Sequence, residues 1–248
     1  MSNLQSLPAS HWDSKQVIAL KFVSLFFLLL IIPLDYKFYV YLFSGSWLDF
    51  HITDLVRLVS YLPGFFNELN SENHLSSDGF YSWFVILILA VAGIFVWNVL
   101  EKERLVRLRD YDTIYYWVRV VVRYKLAFIL IAFGSIKAFP LQFPFPSLSN
   151  LHTNYGDFLP WKIWAHTVGV APNYEAFLGV TELLAAALLI WRRTVTFGAA
   201  LTLGILTNVV YSSFSYQMGN QVLSTFVFLA ALFLFVHDGF RLYSLFFK

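Results

Sequence analysis

The acid Glu182 lies about halfway along the run EAFLGVTELLAAALLIWRRT, from Glu175 to Thr194, a stretch otherwise suited to hydrocarbon. A bilayer core about 30 Å thick takes roughly 20 helical residues at about 1.5 Å each. Glu182 stands ten positions before Arg192. It therefore sits about 15 Å from the interface marked by Trp191, Arg192 and Arg193. A carboxylate at that depth is expensive to insert and is ordinarily tied to a cavity, a partner or a pathway. It can serve as a hydrogen bonder between helices, or as a proton acceptor, substrate anchor or counter-ion. Glu182 is the candidate catalytic residue.

Other polar side chains collect near it. Lys137 is one available cation, placed by a span count about 10 Å nearer the outer face than Glu182. It either leans inward to meet Glu182 or snorkels outward and pairs with Glu175. Asn208 follows Thr194 by fourteen residues, about 21 Å up a returning helix and so at nearly the depth of Glu182. Tyr211, Tyr216, Gln217, Asn220, Gln221 and Ser224 make the same end of the last two spans polar. Interhelical hydrogen bonds, at about 1 kcal/mol each, explain this clustering less well than a polar cavity opening outward. Gln142 and His166 join Lys137, Glu175, Asn208, Tyr211, Tyr216 and Gln217 as its candidate lining, able to take a small molecule or a headgroup.

Several chemistries have no residues to run on. His166 belongs at the outer mouth and His237 near the opposite end, so they cannot share a haem iron. His51, His74 and His152 show no metal-ligand spacing, and no metal is expected. The chain has no cysteine, which excludes disulfides and thiolate relays within it. It has no phosphate-cradling glycine loop, nucleophile elbow or paired-carboxylate spacing for a kinase or hydrolase. Arg119 and Arg123, four residues apart beside Lys125, and the pair Arg192-Arg193 read as anchors for anionic lipid headgroups.

Composition decides what must hold these groups. The chain is 58% hydrophobic, 20% aromatic and 13% charged, with mean hydropathy +0.64, where a soluble domain is about one quarter charged. The expected fold class is all-α, a polytopic membrane helix bundle. A formal charge of +2 gives no reason to expect nucleic acid. Six transmembrane helices are expected, over Val17–Leu34, Phe80–Leu100, Trp117–Phe139, Pro172–Trp191, Val195–Tyr216 and Gln221–Leu242. The first ends without the small residues of a cleavage site and reads as a retained helix. Lys15, Lys21, Lys102, Arg104, Arg107, Arg109, Arg192, Arg193, Arg241 and Lys248 all fall on one side of this arrangement. By the positive-inside rule that side is cytoplasmic, which puts both termini in the cytoplasm and linkers 35–79 and 140–171 outside. Ile52, Leu55, Val56, Val59 and Leu62 share a helical face, predicting a short interfacial helix ended at Pro63-Gly64. Prolines at 140, 144, 146 and 160 predict an irregular cap over the mouth from 140 to 171.

From Trp117 onward the chain resembles the DoxX-like membrane proteins, in a branch common in Bacteroidota. The resemblance is carried by WVRVVVRYKLAF (117–128), GSIKAFPLQFPFPSLSNLHTNYGDFLP (134–160) and FLGVTELLAAALLIWRRTVTFGAALTLGILTNVVYSSFSY (177–216). It covers just over half of the chain. It implies a four-helix core over 117–248, preceded over 1–116 by an extra N-terminal pair with its outer linker and basic cytoplasmic loop. Glu182, Arg192, Arg193 and Asn208 match its recurrent polar positions. It also implies a bacterial inner membrane and a redox association, with a quinone as the admissible cofactor. Relatives tend to carry an Asn-aromatic-x-Tyr-Asp-x-Pro-x-Lys run after the fifth span. Here Ser213 to Gln221 reads SFSYQMGNQ, with amides in place of both the acid and the base. Of the GSGDT-type motif before the second span, SSDGFYSW (76–83) keeps a trace.

Three function classes follow as expectations. The first is a membrane subunit of a quinone-linked redox system, with Glu182 taking the proton. The second is a non-enzymatic scaffold that binds membrane lipid or another membrane or periplasmic subunit through the proline-rich cap. The third, a small-solute transporter, is weakest, since the sequence shows no inverted repeat or interrupted helix.

Overall fold

A computed structural model describes residues 12–34, 36–44, 51–65, 79–102 and 111–247. The basic residues Arg104, Arg107 and Arg109, with His74 and Lys248, lie outside them, as do most of the polar linker before the second span and its GSGDT-like trace. Regular structure among the described residues is helical throughout. The elements are α1 (Ser14–Ile31), α2 (Tyr36–Ser44), α3 (Ile52–Val59), α4 (Phe80–Lys102), α5 (Tyr111–Ala138), α6 (Leu148–Leu151), α7 (Pro160–Gly169), α8 (Pro172–Ile190), α9 (Val195–Ser215) and α10 (Gln221–Phe247). A single 3-10 turn, Tyr155–Asp157, lies between α6 and α7.

Six long helices stand where apolar runs predict spans. Four of them, α1, α4, α8 and α9, are long and apolar enough to cross a bilayer, so the chain is a membrane protein. The described apolar part of α10, Gln221–His237, is shorter. Helix α5 carries Arg119, Arg123, Lys125 and Lys137 along its length.

The long helices pack into one bundle. Phe27 and Leu30 of α1, Trp83 and Ile86 of α4, Val122 and Leu126 of α5, and Phe226 and Leu234 of α10 meet in one buried core. Phe27 lies 5.1 Å from the ring of Phe233, so α1 packs against the last helix. Around the other side, α5 packs on α8, α8 on α9 and α9 on α10. Helices α6 and α7 mark the proline end of the bundle, and Arg192 and Arg193 the arginine end.

The α5–α8 seam is the closest. Glu175, Gly179, Glu182, Ala186 and Leu189 are buried on one face of α8, at alternating steps of four and three that keep that face on its neighbour. A Cβ on Gly179 would lie 2.6 Å from the Gly134 carbonyl oxygen and 2.7 Å from the Lys137 carbonyl carbon. Backbones therefore touch where a side chain would stand, the small-residue packing that membrane helices use.

Two expectations need correction. Residues 140–171 are not irregular throughout, because α7 runs for ten residues with Pro160 in its first turn. There the missing N–H breaks no intrahelical bond and the fixed φ suits a helix. Lys21, counted among the cytoplasmic-side cations, is buried. It is 3% exposed and donates to Glu101 Oε2 at 2.5 Å and to Asn98 Oδ1 at 2.7 Å. The α3 helix exists, but Lys125 does not face headgroups beside it. Lys125 Nζ donates to the carbonyls of Val59 at 2.7 Å and Tyr61 at 3.4 Å. A cation thus answers the unsatisfied carbonyls at the end of α3 and ties it to α5.

Replacing Gly179 with leucine should separate α5 from α8 and destabilise the fold by about 1–3 kcal/mol or more. Gly204→Ala, at a site with no atom within 4 Å of the added carbon, should be tolerated. Thermal unfolding in detergent checks this, and equal melting temperatures for the two variants would contradict the seam.

Candidate functional site

Helix register brings the two central charges together. The Cβ position of Gly134 lies 3.1 Å from Glu182 Cβ, so Gly134 and Glu182 are level across the seam. Lys137 is three residues further along α5, about 4.5 Å by helical rise. The span count placed it at twice that distance. Lys137 Nζ accordingly pairs with Glu182 Oε1, their side chains being 12% and 4% exposed. Of the two open choices for Lys137, the structure takes the inward one.

Glu175 does something else. It is fully buried, and its Oε1 accepts from the backbone N–H groups of Gln142 at 2.9 Å and Phe143 at 3.3 Å. An acid in the first turn of a helix also suits the dipole there. Glu175 thus fastens the turn after α5 to the start of α8. Gly169, at the end of α7, lets the cap close on that turn, since its Cβ position is 2.6 Å from the Pro144 carbonyl oxygen.

A cavity of about 490 Å³ lies among α5, α7, α8, α9 and α10. Lys137, Glu182, Gln142 and Asn208 line it, as expected, and so do Thr181, Ser212, Asn220 and Ser224. Most of the rest is aliphatic, including Leu130, Leu201, Ile205 and Val227. Glu182 Oε2, Gln142 Oε1 and Asn220 Oδ1 are buried with no hydrogen-bond partner among the described residues. A buried acceptor left this way normally costs a few kcal/mol, so these atoms mark where a ligand or water would be held. An ionised carboxylate only accepts, and an ammonium only donates. The wall therefore offers one donor and one acceptor side by side.

Other expected members fall elsewhere. Tyr211 is 75% exposed and outside the cavity lining, because three residues on from Asn208 the α9 surface has turned away. Gln217 is exposed, with φ 50°, and ends α9. Met218 N–H bonds back to the Ser213 carbonyl at 3.1 Å, the six-to-one bond of a left-handed helix stop. Tyr216 sits behind the cavity, its ring 5.2 Å from that of the lining residue Trp164. His166 is half-buried against Phe158 at 5.3 Å and does not line the cavity. Arg192 and Arg193 are exposed, with Arg192 lying 5.5 Å from the ring of Tyr116. Arg119 and Arg123 are half-buried over Tyr115 and Tyr124, at 5.8 Å and 4.8 Å. Among the described residues no group of three His, Asp or Glu could hold a metal ion.

Ser212 was a polar lining residue not foreseen, and so was Thr181. Its place one position before Glu182, on the side of α8 toward α9, was the available signal.

No protein-family profile matches the chain, and no solved structure matches it. The chain is similar to the uncharacterized protein YwoB of Bacillus subtilis (strain 168), 37% identical over 70 residues. That stretch is 28% of this chain and 46% of YwoB. The match thus spans less than half of YwoB's own length.

Removing one partner of the buried pair should be costly. Lys137→Met should destabilise the protein by about 3–5 kcal/mol, and Lys137→Met with Glu182→Leu should recover most of that loss. Unfolding of both single variants and the double checks it. Additive losses would show that the pair does not interact.

Proposed function

We propose that the chain is a polytopic bacterial inner-membrane protein with six spans and both termini cytoplasmic. In this reading it has a DoxX-like four-helix core, α5 with α8 to α10, and serves as the membrane subunit of a quinone-linked redox system. One observation carries it: a nearly buried ion pair in a cavity wall, with one carboxylate oxygen left without a partner. The resemblance over 117–216 and the match of long helices to apolar runs support the family and span count. The charges of α5 do not argue against its crossing, since Lys125 and Lys137 are answered by carbonyls and by Glu182.

The residues fit a quinone ring in size and chemistry. Such a ring, when bound, supplies reversible two-electron, two-proton chemistry. Lys137 would donate to a carbonyl oxygen, while Glu182 Oε2 would hold or release a proton. The aliphatic lining would exclude water around them. Electrons would come from a partner at the outer face, since the chain has no cysteine and, among the described residues, no group of side chains that could hold a metal ion.

A scaffold role is the second reading, and the cap favours it. Phe139, Leu141, Phe145, Leu148, Leu151 and Leu159 are 61% to 76% exposed. Large apolar surface of this kind marks a face for lipid or another subunit.

Protein purified in detergent and in nanodiscs should carry quinone and turn it over. Glu182→Gln should cut turnover by about 100-fold or more while quinone is still retained. No quinone and no turnover in either medium would reject the redox reading. Under the scaffold reading, Leu148→Asp should abolish partner assembly while Glu182→Gln leaves the complex active.

A further inference from the structure

The walls of the cavity are unequal. Ile129, Leu130, Val168, Leu223 and Val227, from α5, α7 and α10, are only 2% to 4% exposed. Across from them, lining residues on α8 and α9 are open. Phe177 is 61% exposed, and Ala200, Gly204 and Asn208 are exposed as well. The opening therefore lies between α8 and α9.

Its position sets what it opens into. Ala200, Gly204 and Asn208 recur every four residues, so they form one stripe about 12 Å long. The stripe starts five residues after Val195 and stops seven before Ser215, the ends of α9. It occupies the middle of a helix long enough to cross a bilayer. At that depth the neighbour is hydrocarbon. Near the arginine end the helices touch, where a Cβ on Gly198 would lie 2.8 Å from Leu189 N. A Cβ added at Gly204 would meet nothing within 4 Å, so that position faces open space.

We infer that an uncharged, hydroxyl-bearing amphiphile occupies this slit, with its head against Lys137 and Glu182 Oε2 and its tail running out between α8 and α9 into the bilayer. A hydroxyl can donate to the free carboxylate oxygen and accept from the ammonium, satisfying both. An anionic head would meet that oxygen as a like charge in a poorly solvated place. This inference rests on Glu182 facing a ligand, as proposed above, but not on that ligand being a quinone.

The chain has no cysteine, so a single spin label reports without background. Gly204→Cys, labelled and placed in phosphatidylcholine vesicles, should be relaxed more strongly by oxygen, which enters hydrocarbon, than by a water-soluble nickel chelate. Adding monoolein should remove most of that oxygen accessibility, and adding oleate should not. Thr181→Cys, on the facing edge of α8, should give the same readings and serves if the first variant fails to fold. Stronger relaxation by nickel, access by neither reagent, no protection by monoolein, or equal protection by oleate would each overturn the inference. Protection by monoolein in a protein without quinone turnover would reject the redox reading and leave the slit standing.

Discussion

An ammonium and a carboxylate held together in a thin, water-poor layer organise the second half of this molecule. Lys137 and Glu182 can meet because glycines at 134 and 179 let α5 and α8 touch backbone to backbone. A pair buried this way adds little net stability over an apolar one, since desolvating both charges offsets their attraction. Keeping it therefore asks for a reason beyond folding, and the unpartnered oxygen of Glu182 supplies one. The same rule of local compensation holds where the other long helices meet. Lys21 is answered by Glu101 and Asn98, and Lys125 by the last carbonyls of α3. Lys21, Lys125 and Lys137 are each placed against groups that can satisfy them, as a lipid surround requires.

Much of this was legible in residue order. Apolar runs mark the long helices to within a few residues, and amphipathic spacing marks α3. The depth of Glu182 inside a spanning run singles it out, and Asn208 follows from counting back along the next helix. Register across a seam was not legible. Counting from assumed membrane edges put Lys137 too far from Glu182, because α5 extends beyond the span and Gly134 fixes the true level. Tyr211 was misplaced because a depth count ignores azimuth, and three residues of rotation carry it off the cavity face. Gln217 was misread because its polarity serves a left-handed helix stop. The burial of Lys21 was not legible because its partners, Asn98 and Glu101, are far away in sequence. Proline at 160 was read as a breaker where it begins a helix.

Two close contacts bound the cavity at its ends. At the arginine end, Gly198 presses α9 onto the last residues of α8. At the proline end, Glu175 holds the turn after α5 down on the start of α8, and α7 closes over it. Between these contacts the cavity passes the exposed lining residues of α8 and α9. The charged pair stands in the wall of that cavity, where a lipid-soluble molecule entering between α8 and α9 reaches it without passing the cap.

Density for the protein in nanodiscs of native lipid addresses this account most directly. Elongated density between α8 and α9, with its inner end within hydrogen-bond distance of Lys137 and Glu182, is the expected result. Helices α8 and α9 closed along their whole length, with the Glu182 carboxylate sealed from both bilayer and water, would contradict it.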